Sequence, residues 1–488
     1  MPLHLNAAQI DRACGVLLAS AAGDALGAGY EFADVRPDLV PIMIGGGLGN
    51  FAPGEWTDDT AQAVAIAEVA ATGVDLRSPE VLTAVAQRFA DWYAGGPADV
   101  GIQTAHVLQL AGRTPTGAAM AAAARQVHDR TGRSAGNGSL MRTGPVALAH
   151  LDDPRALVEA AMAVSALTHV QDYAQEACAI WCLMIRHAVL HGAFPRFADI
   201  EEWAPNPDRW RDLITAAETQ PPSSFKQNAW SVGALQAAWS AITHTPVPDE
   251  GPACGHLVDT LTTAIRIGHD TDTVAAIAGA MLGARWGMSA IPAAWRRPLH
   301  GWPGIRGRDL EHLAYLTVRG GTPGKYGWPQ VERIDYAGLQ YGKPAIAAHP
   351  YDDGVYIAGA TALDEVPEGV DAVVSLCLTG RRQISEGLEH LNFRIMDEAD
   401  PEQNPNLDFA LVDAARAIAV LRDEGKKVLL HCVAAHSRTP TVAIVYAMLR
   451  GVPLNEALPA VCAALPAAHP NPGFRKALKR LATAGVQA

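Results

Sequence analysis

Six alanine-rich segments set the first constraint on how this chain can fold. They are "AQAVAIAEVAATG", "EVLTAVAQRFADWYAGG", "RALVEAAMAVSAL", "YAQEACAIWCLMIRHAVLHG", "SVGALQAAWSAI" and "TVAAIAGAMLGARWG". Their apolar positions recur three and four apart, and Gly or Pro clusters end them, which is the pattern of packed helices. No convincing strand with a period of two interrupts them before about residue 320. The spacing predicts an all-α domain over residues 1–325, too long for a simple bundle.

The texture then changes. "RGGTPGKYGWPQVERIDYAGLQYGKPAIAAHPYDDG" (319–354) is rich in Gly, Pro and Tyr, and a linker is expected at 326–348,. The β-like runs "VYIAGA", "DAVVSLCL", "LNFRIM" and "KKVLLHC" follow, with the helical "DFALVDAARAIAVLRDEG" among them. Strands alternating with helices predict an α/β domain over 349–488 with a central, largely parallel sheet,.

Charge narrows the partners. The net charge is −13 and no long Lys/Arg run appears, so the electrostatic footprint of a nucleic-acid or anionic-membrane binder is missing,. "ACGVLLASAAGDALG" (13–27) resembles a signal-peptide core, but Asp11 stands where basic charge is expected,. Its apolar run reads as too short to span a membrane, and a closely packed small-residue helix is expected. The seven cysteines are scattered at 14, 178, 182, 254, 377, 432 and 462. A reducing cytoplasm is the expected setting, with Cys178 and Cys182 on a buried helix face.

"KKVLLHCVAAHSRTPTVAIVYAML" reads as strand, loop and helix, with Cys432 and Arg438 six positions apart. Backbone N–H groups of such a loop form an anion cradle with a helix N-terminus behind it. The same field favours a Cys432 thiolate, so nucleophile and phosphate site are built together. Arg438 can fork onto two phosphate oxygens. A cysteine at a buried strand end can equally be a small hydrophobe; the surrounding pattern favours the phosphate loop Val433, Ala434, Ala435, His436, Ser437 and Thr439.

With "VYIAGA", "HCVAAHSRT" and "HPNPGFRKALKRL", residues 350–488 resemble the dual-specificity, tyrosine-phosphatase-like cysteine phosphatases. The resemblance implies phosphate monoester or phosphoprotein hydrolysis through a cysteinyl-phosphate, without a cofactor. It implies a general acid on the loop "MDEADPEQNPN", either Asp397 or, as runner-up, Asp400, and a Thr439 hydroxyl that donates to the sulfur. The family usually carries Gly three residues after the cysteine, where this chain has Ala435. A positive φ there costs alanine about 1 kcal/mol or more, which leaves open a domain that binds phosphate without cleaving it.

Two acidic clusters stand in the helical region: "EWTDDT" (55–60) and "GHDTDT" (268–273), each opening an apolar helix. Either alone reads as a helix cap. Together they supply Thr57, Asp58, Asp59, Asp270, Asp272 and Thr273. Converged carboxylates repel unless cations lie between them, and hard cations take all-oxygen ligands.

In order, "GDALGAGYE" (23–31), "WTDDT", "GNGSLMR" (136–142), "THVQDYA" (168–174) and "GHDTDTVAAIAGA" make residues 10–315 resemble the ADP-ribosylglycohydrolases, of the dinitrogenase-reductase-activating glycohydrolase type. The resemblance implies a binuclear Mg²⁺ or Mn²⁺ centre on those six residues, holding the ribose hydroxyls beside the anomeric carbon. It implies Glu31 as an acidic residue near the metals, and Gly136, Asn137, Gly138 and Ser139 as the loop for the ADP-ribose phosphates and distal ribose. His169 is either a ligand neighbour or a satisfied core histidine. The expected substrate is an ADP-ribosylated protein or an ADP-ribose conjugate; arginine, serine and small-molecule acceptors all remain open. Taken together, the chain reads as a bifunctional hydrolase.

Overall fold

Ala7–Gly27 forms the first long helix, α1, opened by a capping box in which Asn6 and Gln9 exchange hydrogen bonds,. The computed structural model describes residues 3–336 and 346–485. With the turn that follows it, α1 is long and apolar enough to cross a bilayer, which corrects the expectation that its apolar run is too short. Its most apolar stretch is 89% buried inside the fold.

Three further helices carry the argument for the first unit: α2 (Asp58–Ala70), α3 (Asp172–His191) and α4 (Thr271–Trp286). Small residues let α1 and α4 run almost in backbone contact. A Cβ on Gly283 would fall 2.0 Å from the Gly15 carbonyl oxygen, and one on Gly27 would fall 2.5 Å from the Asp272 Cα. Only glycine permits this approach. On α3, Cys178 and Cys182 are buried and contact Ser139 and Thr143. Among the described residues, the named strands of this unit are a minimal hairpin, His300–Gly301 against Ile305–Arg306, too short for any periodic signal.

The chain divides into two compact units, and the second takes up residues 323–488 with the short piece 292–294. Its strands are β1 (Ile346–His349), β2 (Asp352–Gly359), β3 (Val370–Ser375), β4 (Glu389–Asn392) and β5 (Lys427–Cys432). The spatial order is β1-β2-β5-β3-β4, parallel except for the edge pair β1/β2. Central β5 is apolar on both faces, with Val428, Leu429 and Leu430 fully buried, as a doubly covered strand requires,. Helices α5 (Leu407–Asp423), α6 (Arg438–Leu449), α7 (Leu454–Ala464) and α8 (Pro472–Ala484) pack with Val355, Ile357, Val374, Val428 and Leu430. The opposite face is covered more thinly, by Ala362, Leu363, Val366 and Ile384.

Two expectations shift here. The strand expected at "LNFRIM" runs only from Glu389 to Asn392, and beyond it the Ile395 carbonyl accepts from Arg438. Within the expected linker, Gln383 exchanges hydrogen bonds with both backbone groups of Ile334, and the Tyr336 hydroxyl donates to the Leu378 carbonyl. Residues 337–345 of that linker lie outside the described residues.

Candidate active sites

The acidic centre is assembled from α1, the segment after it, and the starts of α2 and α4. Asp24 on α1 is completely buried. Its carboxylate accepts the Thr57 N–H (3.0 Å), the Thr60 N–H (3.1 Å) and the Thr60 hydroxyl (2.6 Å). It therefore caps α2 from another helix, satisfying N–H groups that the helix itself cannot. Thr57 is the local N-cap, accepting weakly from the Asp59 N–H (3.4 Å). Capping and site-building coexist on α2. On α4 they do not: Asp270 occupies the cap position but makes no side-chain cap bond.

Carboxylate oxygens of Glu31, Asp270 and Asp272 all lie within 4.8 Å of one another. Asp59 Oδ2 sits between the hydroxyls of Thr57 (3.2 Å) and Thr273 (3.3 Å), which joins the two helix starts. Asp58 Oδ2 accepts from Gln62 (3.0 Å) and lies within the field of Asp99. Asp59 Oδ1 and Asp270 Oδ1 are buried with no hydrogen-bond partner. Buried carboxylate oxygens without partners in an all-oxygen site are what a hard divalent cation would satisfy, so these residues fit such an ion,. Just before Asp270, His269 holds φ at +63°, and its carbonyl accepts the Phe32 N–H at 2.7 Å. A non-glycine residue held there stores backbone strain beside the acids.

Burial raises every carboxyl in the cluster, and repulsion between neighbours adds to it at Glu31, Asp58, Asp59 and Asp272. Glu31 and Asp58 rise to about 8. Asp59 and Asp272 rise well above the ordinary range, and buried Asp24 rises to about 6. A carboxyl with a raised folded value stabilises the fold below its unfolded value near 4, and loses that contribution as pH climbs through its folded value. For Glu31 and Asp58 the window is about pH 4 to 8. Chelated protein should therefore melt several degrees lower at pH 8 than at pH 5. Mg²⁺ or Mn²⁺ should restore more stability at pH 8 than at pH 5, since cations need the ionised forms. Scanning calorimetry with and without chelator tests this; a flat profile in both would remove the cation site.

The loop "GNGS" borders this centre. Asn137 Nδ2 donates to Asp270 Oδ2 at 2.7 Å and to the Asn228 carbonyl. Gly136 bridges to Trp230, and Gly138 lies over His169, where a Cβ would stand 3.2 Å from the ring. Ser139 turns inward, accepting from Ser165 (2.9 Å), so its hydroxyl faces the core rather than the loop's open side. His169 is buried beneath the loop and bonds Thr168. Burial, then the Arg142 charge, pushes it well below the ordinary histidine range, so it is neutral. Fully buried Arg142 bonds Gln62 and Thr168, which ties Asp58 to the floor of the loop. Tyr173 and Trp230 pack edge to face (5.7 Å) and are partly exposed beside it.

Sequence reading passed over Asp24, Asp99, Arg142 and the Tyr173–Trp230 pair. For Asp24 a signal existed: a carboxylate inside an otherwise apolar, small-residue run has to be buried and partnered.

The second centre lies at the C-terminal end of β5. Cys432 is buried at the strand end, and the loop that follows runs into α6. Carbonyls of the loop are tied to protein donors: Val433 to Ala360, His436 to His469, and Ser437 to Thr441. Arg438 Nη1 donates to the Leu376 (2.7 Å) and Ile395 (3.2 Å) carbonyls. Its Nε stands 3.6 Å from Asp397 Oδ2. Asp400 instead caps the turn 401–403 by accepting from the Glu402 N–H. Thr439, expected to donate to the sulfur, donates to the Ala358 carbonyl (3.2 Å), which takes its one proton. Asn471 contacts both Ser437 and Asp397. Ala435 adopts φ +56°, so the loop keeps the left-handed turn although no glycine is there.

Residues 5–324 match the family model for ADP-ribosylglycohydrolase, and residues 365–483 match that for the dual specificity phosphatase catalytic domain. The ADP-ribosylarginine hydrolase Tri1 of Pseudomonas putida is 30% identical over 348 residues, covering 68% of this chain and 82% of that protein. The ADP-ribosyl-[dinitrogen reductase] glycohydrolase of Rhodospirillum rubrum is 29% identical, covering 58% of this chain and 89% of that protein. Dual specificity protein phosphatase 15 of Rattus norvegicus is 43% identical over 67 residues, which is 14% of this chain and 28% of that protein.

Proposed function

Because the chain belongs to the ADP-ribosylglycohydrolase family over residues 5–324 and matches the dual specificity phosphatase catalytic domain over 365–483, we propose that it is a hydrolase with two chemistries. The first unit cleaves the glycosidic bond between ADP-ribose and an acceptor. The second hydrolyses phosphate monoesters.

The observation that carries the first activity is the convergence of Glu31, Asp270 and Asp272 with orphaned oxygens on Asp59 and Asp270. Thr57, Asp58, Asp59, Asp270, Asp272 and Thr273 would hold a pair of Mg²⁺ or Mn²⁺ ions. Bound there, such ions supply charge neutralisation and Lewis-acid polarisation of the ribose hydroxyls. Glu31, the least buried acid of the three, takes the proton of the water that attacks the anomeric carbon. The C–N or C–O bond to the acceptor breaks as the new C–OH bond forms, and the proton ends on the departing acceptor. Asn137 orients Asp270, and the Gly136–Gly138 backbone admits the pyrophosphate,. The exposed faces of Tyr173 and Trp230 offer a stacking surface for the purine,. Curated relatives named as ADP-ribosylarginine hydrolase make arginine the first acceptor to test. Chromatography of free ADP-ribose, released from arginine, serine and small-molecule conjugates with either metal, tests the reading. Release from none of them would end it.

For the second activity, the carrying observation is Arg438 and Asp397 brought to the Cys432 loop. The Cys432 thiolate attacks phosphorus and the ester P–O bond breaks, with the Asp397 proton passing to the leaving oxygen. Water then attacks phosphorus, the P–S bond breaks, and the proton of the water returns to Asp397.

A second reading keeps this unit as a phosphate binder without turnover, and the positive φ of Ala435 favours it. Ala435→Gly decides between them. Relief of left-handed strain, about 1–2 kcal/mol, is offset by a lost buried methyl, about 0.8 kcal/mol, and by unfolded-state freedom, about 0.4–1 kcal/mol. Stability should change by less than about 1 kcal/mol. If the native loop is already competent, kcat changes by less than about threefold, well under 1 kcal/mol of barrier. An inactive wild type that gains turnover from the glycine would establish the binding reading instead.

A further inference from the structure

Asn471 stands at the entry of α8, outside the phosphate loop and outside the acid loop, yet it bonds both. Its backbone N–H donates to Ser437 Oγ at 3.1 Å. Its side-chain Nδ2 donates to Asp397 Oδ1 at 3.1 Å. Its side-chain Oδ1 accepts the Phe474 N–H at 2.9 Å, as the N-cap of α8. The cap bond settles which end of the amide faces the acid. A helix N-terminus offers only donors, so the oxygen must point to Phe474 and the NH₂ to Asp397. The flanking chain is anchored as well: the His469 N–H donates to the His436 carbonyl, and Gly473 packs against Ala399, where a Cβ would fall 2.8 Å from the carbonyl oxygen.

We propose that Asn471 is the positioning residue of the phosphatase unit, holding the Asp397 carboxyl in register with the Cys432 loop. The inference rests on the phosphatase reading above. An N–H donor on Oδ1 keeps that oxygen an acceptor. Oδ2, 3.6 Å from Arg438 Nε, is then the oxygen left to hand a proton to an ester whose phosphate Arg438 would grip. Asp397 is otherwise on a loop with a partly exposed side chain. Without the amide it keeps its chemistry and loses its aim. The cap on α8, buried at Phe474, supplies the rigidity, because α8 is docked in the core of the unit,.

The test separates aim from architecture. Asn471→Ser keeps a good N-cap and the backbone N–H but cannot reach Asp397. Asn471→Asp also keeps the cap and replaces the donor by a like charge. Both are compared with wild type and Asp397→Asn on p-nitrophenyl phosphate, whose leaving group needs little protonation, and on phenyl phosphate, whose leaving group needs it. Expected for Asn471→Ser is a loss of under about threefold on the first and about 10- to 100-fold on the second, the range of one acid–base contribution. Asp397→Asn should show the same pattern, and the double variant Asn471→Ser/Asp397→Asn should be no slower than Asp397→Asn alone. Equal losses on both substrates, or an additive double variant, would overturn the inference while leaving the phosphatase intact. No turnover of either ester by wild type removes the phosphatase reading and this inference with it.

Discussion

Asp272→Asn should cut release of ADP-ribose by about a thousandfold and at the same time stabilise the chelated protein. The two effects have one cause. Asp272 is buried and faces Asp59, Asp270, Glu31 and Asp24. A neutral isostere spares the metal-free fold the cost of burying, or protonating, one carboxylate of that group,. It also removes a cation ligand, and losing one electrostatic element of a preorganised site costs about 10²–10³ in rate. The melting temperature without metal should rise, and the gain on adding Mg²⁺ or Mn²⁺ should shrink. A merely damaged fold would lose activity and stability together, so the opposite signs identify the mechanism. A variant that keeps more than about a tenth of wild-type turnover, under 1.4 kcal/mol of barrier, would displace Asp272 from the centre.

Cys432→Ser should lower hydrolysis of p-nitrophenyl phosphate by at least about a thousandfold, since serine at neutral pH is a far weaker nucleophile than a thiolate. The substitution is nearly isosteric at a fully packed position, so the unit should fold unchanged,. Phosphate or vanadate should still bind, through the loop amides and Arg438. Release of ADP-ribose by the same protein should be unaffected. Phosphatase turnover that survives Cys432→Ser would place the activity elsewhere.

The acids of the candidate cation site were legible because carboxylate–threonine clusters open two apolar helices far apart in the chain, and one cap needs only one oxygen. Asp24 was not, because its work on α2 is visible only once α1 lies beside Thr57 and Thr60. The loop from Cys432 to Arg438 was legible from local order, strand then helix. The direction of its hydroxyls was not: Thr439 spends its proton on Ala358 of the neighbouring strand, a partner 81 residues away. The inward turn of Ser139 is of the same kind, decided by Ser165 on another helix. Asn471 lies in the helix entry "HPNPGFRKALKRL", where an N-cap is readable; its bond to Asp397, 74 residues away, belongs to tertiary structure. The doubt over Ala435 turned out well aimed, since the backbone there does take a positive φ.

The bond between Asp59 and Thr273 spans 214 residues of chain. At ordinary elongation rates of about 5–20 residues per second, the first acidic cluster leaves the ribosome some 10–40 s before its partner. For that interval Asp58 and Asp59 are an ordinary helix start, with Asp24 close by in sequence to hold it. The full concentration of negative charge arises only when α4 docks against α1, late in synthesis of the unit. On the proposed function, cation capture would wait for that step, when the nascent chain first has both halves to offer.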